Sequence, residues 1–185
     1  MKQSRSFPKE MLLPLTFGLV FALICGFASP VMARPVPSLP GFVTAGGSIA
    51  NSDGTATFRG NATAFKTGAV GGIWTHVTAS GDVVTGNVKY LYLRHVDGPS
   101  PDPPSAIPNE ARLFGDATLN GASGYWVEVV VQDFGEPGTS DTYAIRLRNS
   151  DGIVIWDTGL TSPTPLSSGN IQIHPPNAGH PYVLN

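Results

Sequence analysis

A single cysteine, Cys25, occurs among the 185 residues, and it lies in an N-terminal stretch that carries the marks of an export signal. If that stretch is removed, no disulfide can brace the remaining chain and no thiolate is available for catalysis or metal binding. Long basic runs are missing too. Without Lys2, Arg5, Lys9 and Glu10 the chain keeps eight basic and twelve acidic residues, a net charge of −4 with His neutral. Nucleic-acid binders usually present a basic patch, so nucleic acid is not an expected partner. Nowhere does the apolar pattern keep a helical period, which leaves strands as the only regular structure the sequence supports.

The first residues explain why the cysteine is expendable. Lys2, Arg5 and Lys9 precede an apolar run of 17 residues, Met11 to Phe27, and the small-residue end Val31, Met32, Ala33 follows. Charged, apolar, then small is the order of a secretory signal, with cleavage expected after Ala33. A retained anchor is the alternative, since about 20 apolar residues span a bilayer, but Pro14, Gly18 and Gly26 interrupt the run. Lipidation at Cys25 is disfavoured by the bulky Ile24 before it. The expected address is therefore secreted, periplasmic or cell-surface, with no membrane span after cleavage.

Residues 34–40, RPVPSLP, hold three prolines and read as an extended spacer. From Gly41 to His174 short β-branched and aromatic runs alternate with Gly, Asn, Asp and Pro about every ten residues, the pattern of an all-β domain. Strands are expected near 42–50, 55–65, 72–78, 84–97, 110–119, 124–133, 141–149, 152–158 and 169–174. Within them Tyr143, Ile145 and Leu147 share one face against Arg146 and Arg148, and Val127, Val129 and Val131 oppose Trp126, Glu128 and Gln132. Leu91 and Leu93 likewise oppose Tyr90, Tyr92 and Arg94. Half-buried strands of this kind suit an antiparallel two-sheet β-sandwich, jelly-roll or immunoglobulin-like, of about nine strands. The proline-rich stretch Asp97 to Pro108 cannot be a central strand and reads as the longest loop; residues 175–185 read as a tail.

The run QDFGEPGTSDTYAIRL, Gln132 to Leu147, followed by SGNIQIH, Ser168 to His174, resembles the end of a small all-β domain found, often as a C-terminal module, in uncharacterised bacterial secreted and surface proteins. The opening GFVTAGGSIANSDGTATFRGNATAF, Gly41 to Phe65, is similar to that domain's first strands. The resemblance implies an extracytoplasmic β-domain and brings no catalytic residues with it.

Two candidate sites stand out. Asp133, Glu136 and Asp141 surround the Gly135 to Ser140 loop, where hard-cation chemistry would favour calcium; the competing reading has the aspartates capping turn amides. Tyr90, Tyr92 and Trp126 are the residues expected to stack a sugar if they are exposed, from a wider set that includes Trp74, Tyr125, Tyr143 and Trp156. Histidines 76, 95, 174 and 180 are too dispersed for a zinc motif. There is no GxSxG elbow, and the three glutamates of the domain, Glu110, Glu128 and Glu136, show no paired spacing. The sequence thus favours a structural or interaction module of the cell envelope or extracellular space, its partner an unidentified protein or polysaccharide. A carbohydrate-binding module is the alternative, and a secreted hydrolase comes third.

Overall fold

The computed structural model describes residues 40–98 and 108–174. The expected export signal (1–33), all of the expected spacer but Pro40, residues 99–107 of the expected long loop and the expected tail (175–185) lie outside the described residues. Ten strands are present: β1 (Gly41–Asn51), β2 (Gly54–Ala64), β3 (Val70–Val77), β4 (Val83–Arg94), β5 (Glu110–Leu119), β6 (Ala122–Gln132), β7 (Thr142–Asn149), β8 (Val154–Asp157), β9 (Thr164–Pro165) and β10 (Ser168–His174). Among the described residues there is no helix.

The strands do not divide between two sheets. They form one antiparallel sheet in the order β10-β1-β2-β3-β4-β5-β6-β7-β8, with the two-residue β9 pairing β7. Each strand from β1 to β8 follows its neighbour through a local connection, so the chain meanders. Only β10 returns from afar, pairing β1 from Phe42↔His174 to Ser48↔Ser168. The two layers expected of a sandwich are two halves of one curled sheet, a half-barrel. Strand alternation is the same in both architectures, because it states which face of a strand is buried and not which sheet carries it.

The turns follow from local chemistry. Asn120 and Gly121 join β5 to β6 with φ of 51° and 82°. Two consecutive left-handed residues make the tight hairpin turn that suits strand twist, and Asn and Gly reach that region most easily.

Curling brings β2 and β3 against β7 across the concave face. The Phe58 and Tyr143 rings stack at 3.8 Å and 6°, and the Trp74 ring lies nearly parallel to both. Such ring pairs add about 0.5–1.5 kcal/mol each beyond their buried area. Around them pack Val43, Ile49, Val84, Leu91, Leu113, Val129, Ile145, Leu147 and Ile171, each at most 2 % exposed. His76 is fully buried here. Its Nδ1 lies 3.1 Å from the Tyr143 hydroxyl, which also accepts the Trp74 indole N–H at 3.3 Å. With that N–H accepted, the hydroxyl proton is best donated to Nδ1. This leaves Nε2, which has no hydrogen-bond partner, carrying its hydrogen, while the ring packs 4.7 Å from Trp156. Burial lowers the His76 pKa from 6.5 to about 4, so the ring is neutral near pH 7.

Candidate functional site

The acidic trio sits where the ends of the curled sheet approach each other. Asp133 closes the β6 end, Glu136 lies in the turn, and Asp141 precedes β7. Each accepts hydrogen bonds from the outward edge or side chains of β10. Asp141 Oδ2 accepts the Ile171 backbone N–H at 2.9 Å, and Asp133 Oδ2 accepts that of Ile173 at 2.9 Å. Their second oxygens take turn amides, Phe134 N–H on Asp141 Oδ1 and Gly135 N–H on Asp133 Oδ1. Glu136 Oε1 accepts the side-chain amides of Asn170 and Gln172 at 2.9 and 3.0 Å. The carboxylates thus do for β10 what a further strand would do: they satisfy N–H groups at the strand edge that β1 leaves unpaired.

Backbone bonds reinforce the seam, with Leu166 N–H donating to the Asp141 carbonyl and Ser167 N–H to that of Ser48. Asp141 is fully buried. Its pKa rises from 3.8 to about 6, burial outweighing the two amide donors while Asp133 and Glu136 push the same way. Glu136 moves down, held ionised by Asn170 and Gln172. Among the described residues, no group of three or more His, Cys, Asp or Glu side chains is arranged to hold a metal ion. The capping role weighed for Asp133 and Asp141 is present, and it extends to a strand 30 to 40 residues downstream.

The aromatic candidates are on the convex face. In β4 the residues Val84, Gly86 and Val88 point inward, and strict alternation would send Tyr90 and Tyr92 inward after them. A bulge between Val88 and Tyr90, with Lys89 as the extra residue, resets the parity. Leu91 and Leu93 then fill the interior, leaving Tyr90 40 % exposed and Tyr92 half-buried. Trp126 is 37 % exposed on β6.

Register assembles these residues. Tyr90 faces Phe114 on β5, Tyr92 faces Arg112, and Trp126 faces Asp116. Phe114 lies one diagonal step from Trp126, within reach for aromatic side chains. Tyr92, Tyr90, Phe114 and Trp126 therefore form a stripe running obliquely over three strands. Phe114 and Asp116 were not singled out from sequence; their signal is the pairing across the Asn120–Gly121 hairpin. Trp74 and Tyr143, by contrast, are core residues, and Tyr125 and Trp156 pack partly against the core.

Charged pairs surround the stripe. Glu110 is 1 % exposed and accepts Arg94 Nε at 2.5 Å, Arg112 Nε at 2.8 Å and Gln132 Nε2 at 2.8 Å. Burial raises its pKa, but these three donors outweigh burial and hold it below the usual range. Glu128 lies between Arg112 and Arg146, each 3.9 Å away, and burial lifts its pKa despite them. Arg146 also binds Asp157 at 2.6 Å. The three glutamates are thus engaged by protein donors on two separate parts of the fold. Leu160 folds over Val130 and Ala144, a small apolar patch that the convex face keeps covered. His174 stacks on Phe42 at 4.2 Å, and His180 lies outside the described residues.

At the turn end of the stripe a cleft of about 420 Å³ opens beside Trp126, bordered by Asn87, Asp116, Thr118, Ser123 and Ser150. Comparison with protein-family models, with curated proteins and with solved structures finds no significant match.

Proposed function

We propose that this chain is an exported, non-catalytic binding module of the cell envelope or extracellular space, and that it acts through the convex face of β4, β5 and β6. The observation that carries the reading is the exposure of Tyr90 and Trp126 on one rigid surface, linked by Phe114. Exposed aromatics on strands cost a protein solubility, and here a bulge at Lys89 turns two tyrosines outward. The charged, apolar and small-residue order of the first 33 residues supports export, and so does the resemblance of the closing strands to domains of bacterial secreted and surface proteins. The covered interior supports a surface mode of action, because the concave face is filled by Phe58, Trp74, His76 and Tyr143.

The test is attachment. The chain, produced from its full sequence and collected outside the cytoplasm, is labelled and incubated with washed cell envelopes and extracellular matrix of the producing organism. Saturable attachment that falls at least tenfold in the double variant Tyr90→Ala, Phe114→Ala, with unchanged circular dichroism, is the expected result. Attachment unaffected by the double variant, or a chain that stays in the cytosol with its first 33 residues intact, overturns the proposal.

A further inference from the structure

The cleft beside Trp126 has a composition that the rest of the stripe lacks. Asp116 and Trp126, paired directly across β5 and β6, both line it. Asn87 stands beside Asp116 on β4. Thr118 and Ser123, near the β5–β6 hairpin, and Ser150, from the β7–β8 turn, complete the rim with three hydroxyls. Two aromatic residues, one acid, one amide residue and three hydroxyl residues thus border about 420 Å³, within the usual range of small-ligand pockets, roughly 300–1,000 Å³.

From this arrangement we infer that the cleft binds a neutral oligosaccharide segment. The inference rests on the convex-face reading above and names its ligand class. A pyranose ring presents an apolar face of C–H groups and a rim of hydroxyls, which are donors and acceptors at once. The indole stacks the first, and a carboxylate with amide and hydroxyl neighbours pairs with the second. Charge selects the neutral class. Lys89 Nζ lies 3.7 Å from Asp116 Oδ2, so the one carboxylate of the cleft has a cation beside it and no uncompensated charge draws an ionic ligand. The composition favours a hydroxyl-rich ligand over an apolar protein anchor, because five polar residues border the cleft beside the aromatic Tyr125 and Trp126. Tyr90 and Phe114 continue the stripe away from the cleft, so further sugar units of the same chain would lie along it.

Tryptophan fluorescence and calorimetry with four neutral hexasaccharides, built from β-glucose, β-xylose, β-mannose and β-N-acetylglucosamine, test the inference on the exported chain. Trp74 is 1 % exposed and Trp156 packs partly against the core, so an emission change is assigned to Trp126 by its loss in Trp126→Ala, and calorimetry measures the affinities. At least one hexasaccharide is expected to bind. Trp126→Ala should weaken that binding tenfold or more, Trp126→Tyr should restore part of it, and Asp116→Asn should weaken it fivefold or more. None of the three should move the unfolding midpoint by more than a few degrees. No binding of any of the four at millimolar concentration overturns the inference, as does binding that Trp126→Ala and Asp116→Asn leave unchanged. Sugar binding abolished by Tyr90→Ala and Phe114→Ala alone would sink the cleft and leave the convex-face module standing. Absence of sugar binding together with Tyr90-dependent attachment to envelopes would do the same.

Discussion

Two buried groups, His76 and Asp141, titrate in opposite senses, and their opposition shapes the pH profile of the fold. His76 has a native pKa of about 4 against 6.5 when unfolded. Its neutral form is built into the core, so its contribution is complete above pH 6.5 and is lost as pH falls towards 4, about 3 kcal/mol in all. Asp141 is displaced the other way, from 3.8 to about 6. Here the native state keeps a proton that the unfolded chain has released, so the contribution is complete below pH 3.8 and is lost as pH rises through 6. Between pH 6.5 and 4 the two slopes nearly cancel. Urea unfolding followed by intrinsic fluorescence should therefore show these two contributions largely offset in the parent chain, with Glu110 and Glu136, both held below their usual range, adding a loss of stability at the acidic end. His76→Phe removes one slope, and stability should then rise on acidification by about 3 kcal/mol. Asp141→Asn removes the other, and stability should fall by a comparable amount over the same range. Both variants can lose stability at every pH, because each leaves a former hydrogen-bond partner unpaired. The slope is the informative quantity. A His76→Phe profile parallel to that of the parent would refute the assignment of a neutral, buried His76, and a parallel Asp141→Asn profile would refute the protonated seam.

Glu110→Gln replaces a buried acceptor of three donors with a side chain that itself donates, and should cost about 2–3 kcal/mol in urea unfolding, less than a fully interior pair because Arg94 and Arg112 are partly exposed. Gly138→Ala should cost about 1–3 kcal/mol, since φ there is 80° and an added Cβ would stand 2.5 Å from Asn170 Oδ1 and 2.8 Å from the Gly169 carbonyl. Calcium and chelator should leave the melting temperature of the parent chain unchanged, because the oxygens of Asp133 and Asp141 and one of Glu136 already accept protein N–H groups; a calcium-dependent rise would return the acidic trio to metal binding.

Strand positions were legible because each strand is half-buried and bounded by residues that tolerate tight turns. The expected strand at 110–119 coincides with β5, and the others fall within a few residues of theirs. β9 was not legible, since two residues containing Pro165 carry no period at all. The single curled sheet was hidden for a different reason. Alternation fixes the inward face of Tyr143 and of Phe58 separately, but their stacking depends on curvature accumulated over five intervening strand pairings. The candidate sites show the same division. Sequence located Asp133 and Asp141 on either side of one turn, where local spacing decides, and could not show that they reach Ile173 and Ile171. It placed Tyr90 and Tyr92 on one face, because two residues apart means one face. It omitted Phe114, whose place beside Tyr90 comes only from the β4–β5 register across the long loop. Val130 sits on the convex face yet is fully buried, and the cause, Leu160, lies in a loop with no periodic signal.

A curled sheet without disulfides must manage two edges, and this chain treats them differently. At β10 the edge N–H groups of Ile171 and Ile173 are already held by the Asp141 and Asp133 carboxyls, so that edge is closed to pairing. At β8 the edge is short and carries Ile153, Val154 and Ile155 at 60, 42 and 49 % exposure. Four residues give a docking strand few ladder bonds to form, which limits uncontrolled addition at that side. With the interior filled by the aromatic stack and the β10 edge sealed, the convex face of β4 to β6, the proposed recognition surface, stays open. The bulge at Lys89 is what populates it: deleting that one residue would restore strict alternation, send Tyr90 and Tyr92 into a core with no room for them, and expose Leu91 and Leu93 in their place. The same irregularity therefore sets the core packing and the proposed binding face, and neither can be altered there without the other.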